Sequence, residues 1–270
     1  MITTLCGRCN TLWRNSNRIL IPLGVGLALL WAFRDVAGDV RRLARGLPFA
    51  LDYVFSMFPP DFSVLPGLVD PIGETLRMAI MGVTLSTIVA VPLSFLAAKG
   101  TAPHDVTYVL SRGVIGVLRG IPTMLWAILF VAMAGLGPLA GVFAMVCHCV
   151  GALGKNFSEI IETTLPKVAN VTEAMQLDGA GEAQVIFYGL IPEVAPLFVS
   201  YVLYYFEWAV RVGTILGLVG AGGLGLRLTM TIRLFRRQQT LAIIIVLLSM
   251  VMIIDTFSRY VRVRLLRDWA

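Results

Sequence analysis

The run Gly120–Gly154, GIPTMLWAILFVAMAGLGPLAGVFAMVCHCVGALG, holds 35 residues and one side chain that protonates near neutral pH, His148. A helix rises about 1.5 Å per residue, so the run would extend about 50 Å as one rod. The hydrocarbon core of a bilayer is about 30 Å thick and takes about 20 residues. The run is too long for one crossing and suits two. Gly135-Leu136-Gly137-Pro138 supplies the break, since glycine reaches turn conformations and proline suits a first helical turn. Spans over 113–134 and 138–154 follow, joined by a tight turn.

Working outward, Met78–Ala98 is uncharged and predicts a span over 76–98. Ile19–Phe33 lies between Arg18 and Arg34 and predicts a shorter span over 19–33, with flanking arginines that snorkel. It resembles the apolar core of a signal peptide, but no small-x-small cleavage site follows, and a retained span is the better reading. Two further spans are expected over 193–216 and 238–255. That gives six, in a transmembrane domain over 19–258, with residues 1–18 and a basic tail over 259–270 on one side. Between the first two spans, Phe49, Tyr53, Phe55, Phe58 and Phe62 surround Pro59-Pro60 and read as an interfacial helix or loop on the outer surface.

Composition agrees. Of 270 residues, 57% are hydrophobic and 14% charged, against about 25% charged in soluble domains. This excludes an ordinary soluble enzyme, a disordered tail and a disulfide scaffold. The net charge of +6 suits a surface of anionic lipid. The basic residues are scattered, which argues against nucleic acid. Cys6 and Cys9 lack two further ligands at usable spacing for zinc. Cys147, His148 and Cys149 point about 100° apart on a helix and share no metal well. Small apolar packing, with His148 hydrogen-bonded inside the bundle, is expected, and no metal.

The connection 155–192 is the long polar segment on the inner side. Asn170 with Glu173 reads as a capping box opening a short helix that runs to Leu177. Asp178-Gly179 stops it, Glu182 restarts a helix, and Pro192 suits the first turn of the next span. Glu173-Ala174-Met175, Gly179 and Ile191-Pro192 resemble, in order and spacing, the E-A-A…G…L-P cytoplasmic loop of binding-protein-dependent ABC importer permeases. Met175 replaces the second alanine, and Gly189 stands where a branched residue is usual. Arg119-Gly-Ile-Pro122, Phe206-Glu207 through Arg211, Gly217–Gly225 and Phe58-Pro-Pro-Asp-Phe62 are similar to the phosphonate, phosphite and hypophosphite branch of that family. The similarity runs from Phe58 to Leu266.

The resemblance implies an all-α, six-span transmembrane domain of type I ABC importer architecture, paired with a second copy of itself. It implies that Glu173, Ala174, Leu177, Asp178, Gly179 and Pro192 belong to a coupling loop that docks on a separate ATPase. Two such ATPases and a periplasmic or lipid-anchored binding protein complete the machine. The chain has no G-x-x-x-x-G-K-[ST], so ATP and magnesium belong to the ATPase and no cofactor is expected in this chain. It is expected to be a membrane subunit rather than an enzyme, in the bacterial inner membrane with both termini cytoplasmic. The positive-inside vote is slight, eleven basic residues in inner segments against nine in outer ones, and the loop decides the orientation. The implied solute is a small phosphorus oxyanion; the alternative is another small solute such as methionine or a quaternary ammonium compound. An intramembrane enzyme would need a partner for His148, and a channel would not need the loop.

Gly220-x-Gly222-x-x-Gly225 matches a dinucleotide fingerprint in letters but follows a span and lacks the later acid. It reads instead as close packing, or as an irregular segment at the outer gate, including Gly222, whose N–H groups can meet an anion. Glu207 lies roughly 21 Å into its span at 1.5 Å per residue, and Arg211 one turn further. They form an i, i+4 pair that neutralises itself, or Arg211 faces the solute. Thr123, Trp126 and Thr214 are further pathway candidates. Arg227, Arg233, Arg236 and Arg237 make the last outer loop basic.

Overall fold

A computed structural model describes residues 22–34, 42 and 45–268. Residues 1–18, with Cys6 and Cys9, lie outside the described residues. The chain divides into two units, Met1–Phe58 and Pro59–Ala270. In the first, helix α1 spans Pro22–Arg34, the described part of the expected first span, and a second helical stretch covers 45–55. Phe49, Phe55 and Phe58 are exposed, the pattern expected of an interfacial segment.

The second unit opens with a 3-10 turn, Phe62–Leu68, capped by the Asp61 side chain, which accepts from the Ser63 N–H at 3.0 Å. Helix α2 then runs Val69–Leu96, starting seven residues before the predicted boundary. Asp70 and Pro71 explain the early start: an acid complements the N-terminal dipole, and proline there loses no hydrogen bond. Helices α3, Asp105–Gly120, and α4, Thr123–Ala134, meet at 85°. The span predicted over 113–134 is thus a bent pair with an earlier first half. Pro122 forces Ile121 into extended backbone (φ −88°, ψ 123°), which no helix tolerates.

Helix α5, Pro138–Thr164, is the centre of the bundle and packs on α2, α3, α4 and the later helix Ile191–Leu216. Within its most apolar window 61% of residues are buried, against 22–33% in the other long apolar helices. Gly151 permits this, since a Cβ there would stand 2.6 Å from the Arg119 amide nitrogen and 2.9 Å from the Ile115 oxygen. Phe157 stacks on Phe198 with ring centroids 4.0 Å apart. Nothing breaks the helix before Leu165-Pro166, so α5 absorbs ten residues assigned by sequence to the polar loop.

Two short helices follow, α6 at Ala169–Leu177 and α7 at Glu182–Gln184. A wider π turn, Val185–Leu190, leads into α8, Ile191–Leu216. Asn170 sits inside α6 rather than capping it, so the predicted capping box is not formed. After α9, Gly223–Arg233, the last helix α10 runs unbroken over Arg237–Asp268. The sequence from 237 to 268 contains neither Gly nor Pro, so the predicted basic tail continues the helix. Among the described residues four helices are long and apolar enough to cross a membrane, five if the bent pair is one span.

Candidate functional site

Three assemblies on this scaffold include the candidate residues. The first is the knuckle between α5 and α8. Gly179 has φ +89°, and the Ala180 N–H donates to the Met175 carbonyl at 3.0 Å. This closes α6 with a Schellman turn that a residue with a Cβ resists. Glu173, Ala174 and Asp178 are exposed, Leu177 is 89% exposed, and Pro192 is in the first turn of α8. The two departures from the family loop compensate each other: the Met175 sulfur lies 3.5 Å from where a Cβ of Gly189 would be. The longer side chain fills the room that glycine leaves.

The root of the knuckle is tied to the bundle. Glu162, near the end of α5, accepts from the Lys99 backbone N–H at 2.8 Å and from Arg112 at 2.7 Å. Arg112 also donates to the Ala97 carbonyl at 3.1 Å and stands over the Tyr108 ring. These contacts join the end of α5 to the α2–α3 connection and to α3.

The second assembly is the glycine segment between α8 and α9. The Gly223 N–H donates to the Glu74 carboxylate at 2.9 Å, and the Leu224 N–H to the Thr75 hydroxyl at 2.9 Å. The anion at this helix N-terminus is the protein's own, which changes the reading of Gly222. Gly222 is buried with φ +88°, and a Cβ on it would stand 2.8 Å from a Glu74 oxygen. Gly225 packs its Cα face onto the Thr214 carbonyl, too close for any side chain. The segment is a clasp between α2, α8 and α9. The sequence reading missed Glu74 and Thr75; the signal was an acid placed four residues before an uncharged run.

The third is a charge cluster between α8 and α10. Glu207 accepts from Arg262 at 2.9 Å and lies 3.5 Å from Arg211, which itself meets Asp255 at 3.0 Å. Glu207 is 11% exposed, Arg262 30%, Asp255 33% and Arg211 48%. The expected pair is thus a quartet, and the nearer partner of Glu207 is Arg262, which the sequence reading had placed in a tail.

The remaining candidates are held locally. The Trp126 indole donates to the Leu118 carbonyl at 3.3 Å, across the α3–α4 bend. Thr123 is the buried first residue of α4. The Thr214 hydroxyl returns to the Arg211 carbonyl at 2.6 Å. His148 stacks on Trp208 at 4.9 Å and is hydrogen-bonded to the Ile121 backbone, the hydrogen-bonded ring that was expected, while its Nδ1 has no partner. No group of three His, Cys, Asp or Glu side chains placed to hold a metal occurs among the described residues.

The family profile described as "Binding-protein-dependent transport system inner membrane component" matches residues 90–267. The chain belongs to this family. The permease is 36% identical to the phosphite transport system permease protein PtxC of Stutzerimonas stutzeri, over 93% of this chain and 89% of that one. It is 42% identical to HtxC of the same organism, a protein also named for phosphite transport, over 87% and 82%. It is 37% identical to the phosphate-import permease protein PhnE of Mycolicibacterium smegmatis, over 72% of this chain and 36% of that protein. Among solved structures, the permease superposes on a chain of the inward-facing MetNI methionine ABC transporter with TM-score 0.64 at 18% identity, covering 76% of this chain and 99% of that one. A chain of an amino acid ABC transporter gives 0.61 at 16%, covering 74% and 94%. These establish the type I importer fold. As a permease of an ABC importer, the chain is a transport subunit of the inner membrane and not itself an enzyme; ATP is hydrolysed on a separate chain.

Proposed function

We propose that this permease carries a small phosphorus oxyanion (phosphonate, phosphite or hypophosphite) inward across the membrane by alternating access. In this reading two copies enclose a central path, and two ATPase subunits engage the two knuckles. A substrate-binding protein delivers the anion from outside, and both termini face the cytoplasm. ATP binding draws the ATPases together, the knuckles tilt the bundles outward-open, and hydrolysis resets them. Glu173, Ala174, Leu177, Asp178, Gly179 and Pro192 form the docking surface.

The observation that carries the reading is the exposed Leu177 on a turn closed by Gly179, in a chain whose relatives are named for phosphite systems. An exposed leucine on a fixed turn fits an apolar groove of a partner. The test is ATPase pull-down together with phosphite uptake for Gly179→Pro and Glu173→Lys. Both variants are expected to insert normally and to lose uptake; full uptake with normal complex formation in both refutes the docking assignment. A periplasm-only reporter signal from a fusion at Ala270 refutes the orientation.

A further inference from the structure

Along α8, Ser200, Tyr204, Glu207, Arg211 and Thr214 recur at spacings of four, three, four and three residues, one line on a helix surface. Beside the inner part of this line lies a cavity of about 550 Å³. Its walls are Asn156 of α5, Ser200, Tyr201, Tyr204 and Tyr205 of α8, and Arg262 of α10. Every one of these side chains carries an N–H or O–H donor. The Asn156 amide donates to the Tyr205 hydroxyl at 3.2 Å, which leaves the Tyr205 hydrogen free to point elsewhere. Arg262 gives one terminal N–H to Glu207 at 2.9 Å, while its Nε is buried without a partner.

A buried guanidinium N–H with no acceptor is costly, and polar walls inside a membrane bundle mark solute paths. Tyr204 is exposed and Ser200, Tyr205 and Asn156 half-buried, so this face does not suit lipid tails. Arg262 is the one charged side chain in the wall, and Glu207 behind it balances part of that charge.

We infer that this cavity holds the solute in mid-passage and that its ligand class is a tetrahedral phosphorus oxyanion. The Arg262 guanidinium in the cavity wall and the hydroxyls of Tyr201 and Tyr204 donate to its oxygens. Three tyrosine rings would also begin a cage for a quaternary ammonium ion. The guanidinium in the same wall opposes a cation and favours the anion. A water occupies about 30 Å³ of liquid, so the cavity has room for a hydrated oxyanion or one bearing an organic substituent. The inference rests on the proposed function and adds the residues that touch the solute.

The test uses the full complex of permease, ATPase and binding protein in proteoliposomes, with phosphite, inorganic phosphate and choline as probes. The paired change Tyr201→Phe with Tyr204→Phe removes two hydroxyls and keeps both rings. Arg262→Lys keeps the charge beside Glu207 and removes the planar guanidinium fork. Each is expected to raise the ratio of ATP hydrolysed to phosphite imported at least tenfold per assembled complex. Damage to the fold lowers hydrolysis and uptake together and leaves that ratio unchanged, which overturns the assignment; so does a ratio within twofold of the unaltered complex in both variants. If the unaltered complex imports neither phosphite nor phosphate, the proposed function itself fails. Choline import retained by Arg262→Lys overturns the oxyanion class.

Discussion

Replacing Glu207 by Gln tests whether the quartet between α8 and α10 is organised around that carboxylate. Glu207 is nearly enclosed and has one arginine at 2.9 Å and another at 3.5 Å. At an effective dielectric of about 20, unit charges 4 Å apart interact by about 4 kcal/mol, before desolvation is subtracted. Breaking a buried pair by removing one partner costs about 3–5 kcal/mol, because the other charge is stranded. Arg262 is partly solvated and Gln keeps an acceptor, so the low end, about 3 kcal/mol, is the expected loss. Arg211→Met differs: Glu207 keeps Arg262, and the lost contacts belong to a half-exposed arginine, worth about 1 kcal/mol at most. The gap of about 2 kcal/mol is roughly a 30-fold ratio in the unfolding constant. The assay is denaturant unfolding of the detergent-solubilised permease, followed by tryptophan fluorescence. Pairing Glu207→Gln with Arg262→Met is expected to be milder than Glu207→Gln alone, since no charge is stranded. If Arg211→Met is as damaging as Glu207→Gln, Glu207 is not the hub and the reasoning fails.

Gly225→Ala drives a Cβ onto the Thr214 carbonyl and is expected to cost about 1–3 kcal/mol as α8 and α9 part, read as a lower unfolding midpoint; an unchanged midpoint would contradict the close approach. Glu74→Ala removes the acceptor at the α9 N-terminus and is expected to cost about 1 kcal/mol, with faster hydrogen exchange at Gly223. Equal exchange rates in the two proteins would show that the clasp contributes nothing. Hydrogen bonds from Ser63, side chain and then backbone, and from Gln239 hold the Asp61 carboxyl below its ordinary 3.8. A depressed carboxyl contributes stability that is complete above its unfolded value and is lost as pH falls through the folded one. Protection factors in Phe62–Leu68 are therefore expected to be flat from pH 7 to 5 and to fall only below 3.8; Asp61→Asn should abolish that acid step.

The sequence carried the helical class, the knuckle and the glycine segment because each is a local pattern. Uncharged runs mark apolar helices, Gly179 marks a left-handed turn, and Pro192 marks a helix start. The ends of helices were less legible. The polar residues of Asn156–Thr164 look like a loop, yet α5 continues through them because packing on α3 and α8 outweighs their weak local preference. Likewise Arg262 reads as part of a basic tail, and only the antiparallel approach of α10 to α8 brings it to Glu207. The line from Ser200 to Thr214 was visible as a heptad-like spacing of polar residues. Its partners on α5 and α10 are 44 and more residues away, and spacing within one helix says nothing of them. The glycine segment read as close packing or as donors for an anion; it packs closely, and the Gly223 donor is taken by Glu74, some 150 residues earlier in the chain.

The central claim is that this chain is the membrane half of an ATP-driven importer of a phosphorus oxyanion. The most direct measurement is accumulation of phosphite in proteoliposomes holding the permease and its ATPase, with binding protein outside and ATP inside. The account expects uphill accumulation that needs both ATP and binding protein, is competed by phosphonate or hypophosphite, and is indifferent to methionine and choline. Phosphite flux that persists without ATP, or accumulation of methionine or choline in place of phosphite, would contradict it.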